Sequence, residues 1–195
     1  GVLTASSLLA NSYLIETDGS GATLDNLAVN TVSTGSGTTA FLTAPEGGFL
    51  NGKSSGSNVL GGRTYLVARD DIGAEAKPLT TEVGNLEGKS ITGHIWIAND
   101  GDLTAGGVVD SGDPGVTAAG GIRVTAASPI RVEENIVSAG DIGLTATDST
   151  SAGDDLTVLA GRRIESTGGS VTLNAGDQVT LETGAAIVAS GQAVI

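Results

Sequence analysis

Acidic side chains outnumber basic ones 22 to 9 in this chain of 195 residues, and many of them stand in short clusters. Asp70-Asp71, Asn99-Asp100-Gly101-Asp102, Asp110-Ser111-Gly112-Asp113 and Asp154-Asp155 each gather oxygen ligands of the kind calcium takes. Asn99, Asp100 and Asp102 are the best-spaced calcium candidates. Their run lacks the EF-hand order with its closing bidentate Glu, and the chain has no tandem Gly-Gly-x-Gly-x-Asp repeat. The competing role is turn capping, in which a carboxylate accepts a nearby backbone N–H, and the spacing favours capping at each cluster. Calcium is the one cofactor left open.

His94 is the single histidine, so every mechanism that needs an imidazole rests on it. It opens the segment Ile95-Trp96-Ile97, where a surface or corner role is the ordinary one. Glycoside hydrolysis would need two facing carboxylates about 5–10 Å apart, and elimination a base with a charge stabiliser. Asp141 and Asp177, with Arg162-Arg163 nearby, are the residues from which such a site would be assembled. No residue is assigned as catalytic. Arg123 and Arg131 read as exposed strand positions whose stems cover the wall. Cysteine is absent, which removes disulfides, thiolate metal sites and thiol nucleophiles.

Aromatic residues offer binding rather than catalysis. Strict alternation in Ile95-Trp96-Ile97 turns both isoleucines inward and Trp96 outward, making Trp96 the best single candidate for contact with a glycan or a protein partner. Tyr13 and Tyr65 become sugar-stacking platforms if they face out, whereas Phe41 and Phe49 are expected in the core.

The elements that position these groups show in a slow rhythm. Leu156, Ile164, Val171, Val179, Ile187 and Val194 return about every seven or eight positions, too slowly for a helix face. Three such steps give a coil of roughly 23 residues, the scale of a solenoid repeat, and three short sides per coil predict a triangular parallel β-helix. Triplets such as Ile122-Arg123-Val124, Ile142-Gly143-Leu144, Leu156-Thr157-Val158, Val171-Thr172-Leu173 and Val179-Thr180-Leu181 alternate inward and outward residues. Turn pairs precede them: Gly101-Asp102, Gly140-Asp141, Asp154-Asp155, Gly169-Ser170 and Gly176-Asp177. Hydrophobic residues make up 39% of the chain but aromatics only 3%, so the core must be built from Val, Ile, Leu and Ala.

The pattern is clearest over 120–195 and loosens upstream. Residues 148–154 read as a loop projecting from the wall. Between Ala74 and Gly93, the positions Leu79, Val83, Leu86 and Ile91 mimic a helix, but Pro78, Gly84 and Gly88 argue for more coil. Residues 1–61 are less regular, with Val2-Leu3, Leu8-Leu9, Leu14-Ile15, Leu24, Leu27–Val29, Phe41-Leu42, Phe49-Leu50 and Val59-Leu60 as candidate inward segments. Asn51 to Asn58 is a loop, a wide turn or an interdomain linker. The preferred organisation is one β-solenoid segment over 1–195, expected to belong to a longer chain.

A formal net charge of −13 repels phosphate backbones and anionic lipid, and no apolar run has the length of a membrane span. Neither nucleic acid nor membrane insertion is expected.

The runs Gly140-Asp-Ile-Gly-Leu-Thr-Ala146, Asp154-Asp-Leu-Thr-Val158 and Ser166-Thr-Gly-Gly-Ser-Val-Thr-Leu-Asn-Ala-Gly-Asp177 resemble the repeat bodies of large secreted bacterial exoproteins of the filamentous haemagglutinin-like kind. The likeness covers roughly residues 62–195 and lies in repeat style, not in a diagnostic motif. It implies a right-handed parallel β-helix outside the cell that serves adhesion. The Asn-Pro-Asn-Gly type motifs of the family's secretion domain are missing, which would make this chain part of the shaft. The resulting expectation is a non-enzymatic structural or adhesive segment of a secreted or cell-surface bacterial protein. Its partners would be surface glycans or proteins, or copies of itself end to end. Two alternatives stand beside it: a self-assembling extracellular filament subunit, and a polysaccharide lyase or glycoside hydrolase.

Overall fold

The computed structural model describes residues 2–7, 9–15, 26–109, 114–127, 129–150 and 152–195. Leu8, Leu24 and the Asp110 to Asp113 cluster lie outside them. The chain is an all-β parallel solenoid of about 7 turns averaging 24 residues per coil, with no helix among the described residues.

β1 (Val2–Ser7) and β2 (Ser12–Ile15) are followed one coil on by β3 (Leu27–Thr34) and β4 (Thr39–Ala44), then by β5 (Phe49–Asn51) and β6 (Val59–Ala68). β7 (Leu79–Ser90) passes along all three sides of its coil without a break: its successive parts pair with β8 (Ile95–Asn99), β9 (Leu103–Ala105) and β10 (Val116–Ala118). From β8 onward each coil has three short strands. They are β11 (Ile122–Ala126), β12 (Ile130–Val132) and β13 (Ile136–Ser138), then β14 (Ile142–Ala146), β15 (Leu156–Val158) and β16 (Arg163–Ser166). β17 (Val171–Ala175), β18 (Val179–Leu181), β19 (Ala186–Ala189) and β20 (Ala193–Val194) complete the chain. Three strands per coil therefore holds only downstream; upstream the corners are bends within longer strands.

Parallel register stacks like on like. Phe49, Ile72, Ile95, Ile122, Ile142 and Val171 form one inward column. Leu103, Ile130, Leu156 and Val179 form a second. Leu42, Leu66, Gly88, Val116, Ile136, Ile164 and Ile187 form the third. Most of these side chains are buried, and each buried Val, Leu or Ile contributes about 1.5–3 kcal/mol. Such columns are possible because alternation sends every second residue inward and every coil returns in phase.

The corners carry a recurring bond. The carbonyls of Gly48, Asp71, His94, Gly121, Asp141, Ser170 and Gln192 accept the strand-opening N–H groups of Leu27, Phe49, Ile72, Ile95, Ile122, Ile142 and Val171, one coil back. Side chains reinforce the same corner. Asn26 Oδ1 accepts from Gly48 N–H, Asp71 Oδ1 from His94 N–H and Asp141 Oδ1 from Ser170 N–H, each at 2.7 Å. Ser90 and Ser166 plug the turn just before it, their Oγ atoms accepting from Gly93 N–H and Gly169 N–H. The turn-pair glycines serve two different ends. Gly101 has φ +91°, whereas Gly169 is needed because a Cβ there would lie 2.4 Å from Asp141 Oδ1 on the neighbouring coil.

Several sequence expectations are revised. Val194 does not continue the inward beat: Val171 pairs with Ala193, and Val194 pairs with the outward Thr172. A shift of one residue moves a side chain to the opposite face. Phe41 is on the outer wall in register with Tyr13 and Tyr65, while Phe49 is buried as expected. Ile91, Leu9, Ile15 and Val2 are exposed, whereas Leu79, Val83 and Leu86 face the core. The segment from Asn51 to Asn58 folds back on its own coil, with Asn58 Nδ2 donating to Asn51 Oδ1 and Lys53 Nζ to the Ser57 carbonyl.

Candidate functional site

The outer face of β8, β11, β14 and β17 forms a groove of about 890 Å³ running across successive coils. Two outward columns run through it, all of whose members but Ala98 line the groove. Trp96, Arg123, Gly143 and Thr172 make the first, and Ala98, Thr125, Thr145 and Asn174 the second. Adjacent coils lie roughly 4.8 Å apart, so three steps from Trp96 to Thr172 span about 14 Å. The corner residues His94, Gly121, Asp141 and Ser170 border one side.

Trp96 is outward, as alternation required. His94, two residues earlier on the same face, stacks on it with ring centroids 4.7 Å apart and planes 25° from parallel. The His94 Nδ1 atom lies 3.3 Å from Asp71 Oδ1. Gly120 leaves the space that the imidazole occupies, since a Cβ there would sit 2.6 Å from His94 Cδ2. Asp71, His94 and Trp96 are thus one assembled unit.

The segment after Ile72 borders the groove near Trp96 through Glu75. Ala74 and Lys77 exchange backbone hydrogen bonds of 3.2 and 3.0 Å, making a small projecting hairpin. It carries Glu75, whose carboxylate pairs with Arg123 on the floor at 3.4 Å. Both side chains are well exposed, so the pair orients Arg123 more than it stabilises the fold. The groove offers an aromatic platform, a paired cation and carboxylate, and the hydroxyl and amide groups of Thr125, Thr145, Ser170, Thr172 and Asn174. Such a set matches ligands with one apolar face and many hydroxyls.

The proposed enzymatic set is not assembled. Asp141 precedes β14, Asp177 precedes β18, and Arg162-Arg163 lead into β16, which puts them at three different corners of the triangle. Asp141 Oδ1 caps Ser170 N–H, and Asp177 Oδ2 caps the N–H groups of Gly153 and Asp154. Arg163 pairs with Glu165 at 2.7 Å, and Arg131 lies 3.7 Å from Glu133.

Among the calcium candidates, Asn99 is buried at a corner and its amide is fully engaged. Its Oδ1 accepts from Thr81 Oγ1 at 2.8 Å and Val83 N–H at 3.1 Å. Its Nδ2 faces the carbonyls of Asp100, Gly101 and Asp102 at 3.4, 3.1 and 3.0 Å. The Asp100 and Asp102 side chains are exposed. Among the described residues no group of three or more His, Cys, Asp or Glu side chains is placed to hold a metal ion.

Tyr13 and Phe41 stack face to face at 4.6 Å, and Tyr65 meets Phe41 edge-on at 6.1 Å. Tyr13 and Phe41 turn their faces to one another and Tyr65 meets Phe41 at an angle, so this ladder ties neighbouring coils together along the wall. Elsewhere, Glu87 is buried beneath the segment after Gly106, with its Oε1 accepting from Val108 N–H at 2.6 Å and Val109 N–H at 2.8 Å. Burial pushes this carboxyl above its ordinary value; the two N–H donors oppose the rise and the Glu134 carboxylate adds to it.

Comparison with protein-family models, curated proteins and solved structures found no match. The chain is a β-solenoid of about 7 turns. Glu75, Thr125 and Asn174 are groove residues to which the sequence reading gave no role. The pairing of His94 with Trp96 had a legible signal, because residues i and i+2 of a strand share a face.

Proposed function

We propose that this chain is a non-enzymatic structural and adhesive segment of a secreted or cell-surface bacterial protein, attached through the Trp96 groove to glycans of a host or bacterial surface. The observation that carries this reading is the His94–Trp96 stack at one end of an open groove floored with hydroxyl and amide groups. Sugar rings present an apolar face to an aromatic ring and hydroxyls to polar neighbours, and both partners are supplied here. The coil style shared with filamentous haemagglutinin-like repeat bodies supports a shaft that displays such a groove outside the cell. Repetition gives the shaft its stiffness, since every coil is hydrogen-bonded to the next. The deciding experiment is a glycan array probed with the purified chain, followed by calorimetry on the strongest ligands. Saturable binding is expected; an array with no ligand up to millimolar concentration removes the proposal.

A further inference from the structure

Gly143 lies in the middle of β14, on the floor of the groove. Its φ is outside the left-handed region, so backbone conformation does not require a glycine. Crowding does not require one either: an added Cβ would meet nothing closer than Arg123 Cγ, at 4.0 Å. The other glycines in the described strands, Gly61, Gly62, Gly84 and Gly88, all have an atom within 3.6 Å of that position. A glycine inside a strand loses chain entropy and side-chain packing; its uses there are a bulge, a bend, or a place that another molecule approaches closely, and β14 keeps unbroken register with β11 and β17, which removes the bulge. The outward column places larger residues on every side of it, Trp96 and Arg123 before it and Thr172 after it. The bare backbone is therefore a notch, one coil from a guanidinium and one coil from a hydroxyl.

The charges around the notch narrow the ligand. Glu75 already engages Arg123, and Asp141 places a second carboxylate at the border. Two carboxylates against one guanidinium, in a chain of net charge −13, disfavour uronates and sulfated sugars.

We infer that Gly143 is the seat of the ligand, where an uncharged sugar ring packs against the backbone between Arg123 and Thr172. This rests on the glycan reading and adds to it a position and a charge class. The test compares the whole chain with Gly143→Thr and Gly143→Ala, using neutral oligosaccharides and uronate oligosaccharides of equal length as calorimetric probes. Threonine is the residue that the same column carries at Thr172, so Gly143→Thr is expected to keep or raise the unfolding midpoint while weakening neutral-glycan binding at least about tenfold by filling the notch. Gly143→Ala is expected to weaken it less. Undiminished binding by both folded variants, with Trp96→Ala still impaired, overturns the seat and leaves the glycan reading intact. Preference of the unaltered chain for uronates overturns the charge class alone. Absence of binding to either probe set overturns the inference together with the reading beneath it.

Discussion

One carboxylate oxygen of Asp71 accepts the backbone N–H of His94 at 2.7 Å and lies 3.3 Å from the Nδ1 of the same residue. The two residues stand 23 positions apart in the chain and on adjacent coils at the same corner. A corner cap that holds the solenoid in phase thereby also orients the imidazole that stacks on Trp96. Architecture and candidate site share one side chain.

Replacing Trp96 by Ala should leave the fold intact, because the indole lies on the outer wall and the core columns do not include it. Glycan affinity should fall by about tenfold or more, the scale of losing a central aromatic contact. Calorimetry with circular dichroism as the folding control checks this, and a folded variant with unchanged affinity contradicts the proposed groove.

Gly120→Ala probes the imidazole without touching the indole. The added methyl would lie 2.6 Å from His94 Cδ2, and the exposed ring can swing away. The chain has one tryptophan, so its emission reports the stack directly. A changed Trp96 emission and a several-fold weaker glycan affinity are expected in a folded protein. Identical spectra and affinity would show that the stack does not organise the groove.

Asn99→Ala should be among the most damaging single changes. It strips Thr81 Oγ1 and Val83 N–H of their buried partner, at about 1–3 kcal/mol for each unsatisfied group. Denaturant titration should show a loss of roughly 2–6 kcal/mol. Since the Asn99 amide occupies the surrounding carbonyls, millimolar calcium should leave the unfolding midpoint of the unaltered chain where it is. A calcium-induced rise that Asp100→Asn with Asp102→Asn abolishes would make Asn99, Asp100 and Asp102 a metal site.

Glu87 makes stability depend on pH in a definite direction. Its folded-state carboxyl titrates above its unfolded value because burial disfavours the charge. The folded state therefore binds the proton more tightly; this contribution is fully present below the unfolded value and is lost as pH rises through the folded one. Glu87→Gln keeps an oxygen for Val108 N–H and Val109 N–H without the charge. Its unfolding midpoint relative to the unaltered chain should rise as pH climbs from below the unfolded carboxyl value through the folded one. Midpoints that stay parallel across that range would show that Glu87 is not penalised by burial.

The sequence by itself determined the winding and, where the strand triplets are regular, most of its inward set. Alternation in Ile142-Gly143-Leu144 or Val171-Thr172-Leu173 is a local property with a period of two, and it named core residues, outward Trp96 and the turn pairs before the strands without any knowledge of neighbours. What it did not hold was phase between coils. Paired residues are 23 apart at Leu156 and Val179 but 20 apart at Ile122 and Ile142, because corners and loops differ in length from coil to coil. That phase placed Val194 beside Thr172 and dispersed Asp141, Asp177 and Arg162-Arg163 over three corners. It also aligned Trp96, Arg123, Gly143 and Thr172 in one column under Glu75. Only the tertiary structure decided these, since backbone hydrogen bonds between coils fix the register and the register fixes which distant residues become neighbours.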